Sequence, residues 1–154
     1  MKKIFLILFL TFTVILPLKV NALSVSNNNL TIEPKENKTI DLYANVETEI
    51  TEVNFTLIYT SYDVPGYFNV ESGLTDSNGG INHKITLATP QTGKIKLGTV
   101  KINVVSNPTV NSGSVNIHSA KAITTTGETI TLNNQIINVT VGRPEIVPEE
   151  DYPT

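Results

Sequence analysis

Cysteine is absent from all 154 residues, tryptophan is absent too, and methionine occurs once, at the first position. Neither a disulfide nor a thiolate metal site is available, so a folded domain must be held by its core alone. Aromatic residues make up only 6 % of the chain, and charged residues only 16 %. No stretch repeats apolar residues at the three-and-four spacing of an amphipathic helix, which leaves strands as the source of regular structure.

Only one long apolar run occurs, Ile4 to Leu16, behind the basic head Met1-Lys2-Lys3. It is shorter than the roughly 20 residues of a bilayer span and is closed by Pro17. With the small residues Val20 and Ala22 flanking Asn21, this predicts a signal peptide over residues 1–22, cut after Ala22, and an extracellular product whose mature domain is not inserted in a membrane. No cysteine follows the cut, so lipid attachment there is excluded. Loss of Lys2, Lys3 and Lys19 leaves eight basic residues against 14 acidic, a net charge of −6. Such a balance gives no electrostatic case for nucleic acid or anionic lipid. The remaining 132 residues are enough for one domain.

What the chain does have is alternation. In Ile50 to Tyr59, the inward set Val53, Phe55, Leu57 and Tyr59 alternates with Glu52, Asn54, Thr56 and Ile58, which predicts a central strand with one face in a core. Leu23 to Ile32, Thr39 to Val46, Tyr67 to Glu71, Ile81 to Leu87, Lys94 to Val105, Ser114 to Ile123, Thr129 to Leu132 and Gln135 to Val141 add further strands, with turn-forming residues between them. Gly98 is expected at a bulge or a close backbone approach. Eight or nine short strands in one chain predict an all-β fold, a single β-sandwich or jelly roll over residues 23–142. Residues 143–154, RPEIVPEEDYPT, turn to proline and acid and read as an exposed linker or tail.

Several of these pieces resemble cohesin domains. The stretch Ile50 to Tyr59 with Phe68-Asn69-Val70 and Gly73 is similar to the third strand and following turn of that family, and Gly93 to Val104 to its glycine, small-residue step and strand. Gly113 to Ile117, Gly127-Glu128 and Ile137 to Val141 fall where the family has its last strands. The resemblance implies a non-catalytic, nine-stranded jelly roll of immunoglobulin-like layout that binds a dockerin-like protein partner, typically in extracellular polysaccharide-degrading assemblies. It places Glu52 and Asn54 at the positions where many cohesins use an asparagine and an aspartate against dockerin. Thr60 departs from the pattern, standing where the family commonly has aspartate. Strand parity adds Asn82, Lys84, Lys101 and Asn103 to the expected partner face, with Ile58 as its outward apolar residue.

A second reading is direct polysaccharide binding. Sugar sites use aromatic rings beside polar groups, and parity leaves Tyr43, Tyr62 and Tyr67 as the platform candidates. A third is a structural or adhesive surface module, anchored to the cell if the chain continues past Thr154. Catalysis is not supported: His83 falls inward and His118 outward, without a nucleophile at triad spacing. Glu47, Glu49 and Glu52 crowd one exposed turn instead of facing each other across a cleft. Asp76-Ser77-Asn78-Gly79 opens like a calcium loop but lacks the closing bidentate acid, so a plain turn is expected and no metal or cofactor is called for. Asn29, Asn37, Asn54 and Asn138 head glycosylation sequons, and a sugar on Asn54 would cover the expected partner face.

Overall fold

A computed structural model describes residues 21–143. The signal peptide expected over 1–22 and the tail expected over 143–154 lie outside the described residues except for Asn21, Ala22 and Arg143. The strands are β1 (Ala22–Val25), β2 (Asn29–Ile32), β3 (Asn37–Tyr59), β4 (Gly66–Val70), β5 (Thr75–Asp76), β6 (Asn82–Asn103), β7 (Ser112–Thr124), β8 (Thr129–Thr131) and β9 (Gln135–Val141). There is no helix among the described residues.

Two very long strands organise everything else. β3 runs 23 residues and β6 runs 22, and they pair antiparallel from Asn37↔Asn103 to Thr56↔Asn82. Each is one continuous strand where alternation alone predicts two, Thr39 to Val46 and Ile50 to Tyr59 in β3, Ile81 to Leu87 and Lys94 to Val105 in β6. Register shifts between Val46 and Glu52 mark where the ladder bends, and there the outward and inward positions alike are exposed, over Glu47 to Glu49 and Ala88 to Lys94. Glu-Thr-Glu and Ala-Thr-Pro-Gln-Thr-Gly read locally as turns, yet the ladder continues through them.

The bend divides the ladder between two layers. The first halves of β3 and last halves of β6 pair with β1 and β4 to form a back layer. The other halves pair with β5 and β7, and β7 carries β8 and β9, to form a front layer. β2 closes the front layer by a parallel pairing with β9. The expected strand Leu23 to Ile32 is therefore two strands, and the chain passes from back layer to front layer between Val25 and Asn29. The sandwich and jelly-roll reading is what the structure shows.

Both layers turn their alternate residues into one core. Ile40, Leu42, Ala44 and Val46 face in from the back half of β3, and Val53, Phe55 and Leu57 from its front half, all buried. Each fully buried aliphatic side chain contributes about 1.5–3 kcal/mol over exposure. Phe55 of the front layer meets Phe68 of the back layer edge-on, with ring centroids 5.3 Å apart. Gly98 sits at a register shift against Leu42 and Tyr43, and a Cβ there would strike the Asn69 carbonyl and the Phe68 ring. Backbone and ring thus occupy the space that any side chain would need.

Candidate functional site

The outward positions of three neighbouring front strands make one polar grid. Asn54 on β3 stands in register with Lys84 on β6 and Lys121 on β7, and Thr56 with Asn82 and His118. Within the grid, the Asn54 amide donates to Glu52 Oε1 at 2.6 Å, and Lys84 Nζ lies 3.6 Å from Glu52 Oε2. Thr56 donates its hydroxyl proton to Asn82 Oδ1 at 2.9 Å. Together they line a shallow concavity of about 360 Å³. Contacts of this sort, along β3 and across to β6, fix side chains that would otherwise wander, so the groups are held in place before any partner arrives.

β7 adds residues that parity alone had missed. Its buried positions run Val115, Ile117, then Ala120, Ala122 and Thr124, a one-residue slip in the alternation. The slip is a bulge: Ser119 has φ of 54°, and pairing jumps from Thr56↔His118 to Asn54↔Lys121. Two consecutive residues, His118 and Ser119, therefore turn outward, with His118 Nδ1 2.9 Å from the Ser119 hydroxyl. The shift from Ile117 to Ala120 is visible in the sequence and is the signal that would have brought Ser119 and Lys121 to the site.

Not all of the expected partner residues share this face. Glu52, Asn54, Asn82 and Lys84 come together on the front layer, but Lys101 and Asn103 pair with Thr39 and Asn37 on the back layer. Lys101 also pairs with Tyr67, and its Nζ lies 5.7 Å from that ring. The single six-residue face is corrected to four front residues and two back ones, because the bend in β6 carries its C-terminal half to the other side of the core.

The three tyrosines also separate. Tyr43 is on the back layer, its hydroxyl donating to Asp41 Oδ2 at 3.2 Å and its ring under Lys94 Nζ at 4.4 Å. Tyr67 lies opposite Lys101, which lies opposite Thr39, four residues and about 13 Å along β3 from Tyr43. Tyr62 stands fully exposed on the loop between β3 and β4. The three platform candidates thus do not share one surface: Tyr43 lies apart, and Tyr62 and Tyr67 flank adjoining hollows at the far end of β3. Ile81, on the same parity as the inward His83, is nonetheless 53 % exposed there; it precedes β6 and follows Gly80, whose φ of +72° turns the chain.

His83 is buried, as its parity predicts, and it has a partner that the sequence did not announce. Its Nδ1 is 2.6 Å from Asp76 Oδ2, and its ring lies 5.1 Å from Phe55 and 5.0 Å from Phe68. Asp76 Oδ1 accepts the Lys84 backbone N–H at 3.2 Å. Both oxygens of the residue that opened the calcium-like loop are engaged by protein groups, and no metal-ligating cluster occurs among the described residues. Tyr59 is inward as well, its hydroxyl donating to the Lys101 carbonyl at 3.1 Å and its pKa pushed well up by burial.

No family model matches the sequence, and no curated protein matches it. Solved structures do match the fold. The cohesin module of a Clostridium perfringens family 33 glycoside hydrolase superposes with a TM-score of 0.65 at 10 % identity, covering 80 % of this chain and 97 % of that one. The sixth cohesin of Acetivibrio cellulolyticus scaffoldin B, in complex with a Cel5 dockerin, gives 0.60 at 12 % identity, covering 79 % and 99 %. The third ScaB cohesin of R. flavefaciens, in complex with a group 1 dockerin, gives 0.58 at 15 % identity, covering 83 % and 100 %. Two bent central strands, a sandwich core and a parallel closing pair thus make up a domain with the fold of the cohesins.

Proposed function

We propose that this chain is a secreted, non-catalytic binding module that takes a dockerin-like protein on the front-layer face around Glu52 and Asn54. The observation that carries the reading is the polar grid itself, fixed by a hydrogen bond along β3 and by contacts from β3 to β6, on a fold whose solved examples include two cohesins in complex with dockerins. A shallow, open sheet face with an exposed rim of Asn82 and Lys121 suits recognition of a folded partner better than enclosure of a small substrate. An extracellular polysaccharide-degrading or cell-surface assembly is the setting that fits a signal peptide and this fold.

The test is capture from the producing organism's secretome, with the purified protein as bait and mass spectrometry to identify what stays bound. A dockerin-bearing protein is expected, and the double substitution Glu52→Ala with Asn54→Ala should weaken its binding at least about 30-fold, the size of a hot-spot loss of about 2 kcal/mol. Lys101→Ala with Asn103→Ala, on the back layer, should bind as the parent does. Equal capture by the front and back variants would overturn the reading.

A further inference from the structure

At the far end of the sandwich, β4 of the back layer and the stretch Asp76–Ile81 flank a concavity of about 450 Å³, within the range of small-ligand sites. Tyr67, 48 % exposed, forms one wall and Ile81 the other. Asn78 and the side-chain-free Gly79 and Gly80 make the lip, and His83 lies at the base. A Cβ on Gly66 would strike the Lys101 carbonyl and the Tyr59 ring, so β4 is pressed close against β6 and sets Tyr67 at the rim.

His83 is only 8 % exposed and is held by Asp76 through Nδ1; its ring lines both this hollow and the concavity under the polar grid, and its Nε2 has no hydrogen-bond partner among the described residues. An apolar occupant would strand that nitrogen and the Asn78 amide, at the cost of an unmet buried polar group. An anion finds no cation in the lining, and a cation finds only Asp76, which His83 and the Lys84 amide already engage. What satisfies every wall is a neutral ring with an apolar face and several hydroxyls.

An adjoining groove of about 410 Å³ shares Tyr59, Gly66 and Ile81 with this hollow and runs out past Pro65 to Tyr62. Tyr62 is fully exposed, but its loop is not loose. Val64 beside it is fully buried, and Asp63 accepts both the Thr109 N–H at 2.8 Å and the Thr109 hydroxyl at 2.9 Å. A bare aromatic ring on an anchored loop is a ready contact surface.

We propose that the Tyr67–His83–Asn78 hollow binds one unit of a neutral saccharide, its ring face on Tyr67 and its hydroxyls on His83 Nε2 and Asn78, with Tyr62 contacting the next unit along the groove. The hollow shares Asn78 and His83 with the concavity under the polar grid, but Tyr67 and Ile81 lie outside that concavity, and the proposal does not depend on the partner proposed for the grid.

The test is affinity electrophoresis of the purified protein through native gels loaded with hydroxyethylcellulose, xylan, starch or the acidic polymer polygalacturonate, followed by calorimetric titration of the matching oligosaccharide. Retardation in at least one neutral gel is expected. Tyr67→Ala and Asn78→Ala, both at accessible positions and checked for an unchanged fold by amide NMR, should each weaken binding about tenfold or more. Glu52→Ala with Asn54→Ala should leave it intact. The proposal is overturned if no neutral gel retards the parent, if only polygalacturonate does, or if Tyr67→Ala is retarded like the parent. It is equally overturned if Tyr67→Ala abolishes capture of a protein partner while no gel retards the parent, which would make the hollow a seat for a protein side chain.

Discussion

The two outer faces of this sandwich are built from the same two strands and carry different chemistry. On the back layer, Lys96 Nζ lies between Asp41 at 3.3 Å and Glu71 at 3.5 Å, and Lys94 covers Tyr43. The hydrogen bond to Asp41 raises the Lys96 pKa, and desolvation followed by the Asp41 hydrogen bond raises that of Tyr43. Charges there answer one another. On the front layer Asn54 bonds Glu52 along β3, Thr56 and Glu52 reach Asn82 and Lys84 across to β6, and Lys121 stays exposed with no acid beside it among the described ion pairs. The back face thus ties Lys96 to two acids, whereas the front face leaves Lys121 outside any ion pair among the described residues, a donor still available to a partner.

The strongest way to break the contrast is to remove what keeps the faces apart. Phe55 is buried in the front layer, stacked on His83 and edge-on to Phe68 of the back layer. Phe55→Ala should cost about 3–5 kcal/mol, read as a lower urea midpoint, with partner capture lost only in proportion to the unfolded fraction. A loss below about 1 kcal/mol would show that the layers hold together without this cluster.

Much of this architecture could be read from residue order, because period two is a local property. Val53, Phe55 and Leu57 point inward on β3, and Val100, Ile102 and Val104 near the end of β6 do the same. The bend was not legible, since Glu47-Thr48-Glu49 and Pro90-Gln91-Thr92 look like turns whether the ladder stops or continues. Parity says which side of its own strand a residue takes, but not which layer that strand belongs to. Lys101 and Asn103 were therefore grouped with Asn54 although the core lies between them. The Asp76–His83 pair escaped for a related reason: parity buried the histidine, but its partner comes from the two-residue strand β5, whose pairing with β6 only tertiary packing decides.

A middle-sized effect should come from Asp63, whose loop carries Tyr62 at the end of the front layer. The Thr109 backbone N–H, and then its hydroxyl, hold the Asp63 pKa below the usual carboxylate value. The sign follows from linkage: a lowered folded pKa means stabilisation fully present above the unfolded value of about 3.9 and lost as pH falls through the lower folded value. On acidification below about pH 4 the Thr109 amide should lose protection from hydrogen exchange before the amides of β3 do. Asp63→Asn should weaken that protection already at neutral pH and remove its acid dependence. An unchanged acid profile in the variant would show that another carboxylate governs the loop.

The smallest effect is expected on the back layer, where it tests whether the neutralised charges matter. Lys96 reaches Asp41 and Glu71 from a partly exposed position, and surface pairs of this geometry are screened by salt. Lys96→Met keeps the apolar stem over the sheet and removes only the charge. The melting temperature should fall less than for either change above, and parent and variant should converge in about 1 M salt. Partner capture on the front layer should not change, because the substituted charge lies across the core from Glu52 and Asn54. A salt-independent fall would instead locate the contribution of Lys96 in the packing of its stem, and the back face would then be held by contact area more than by its ion pairs.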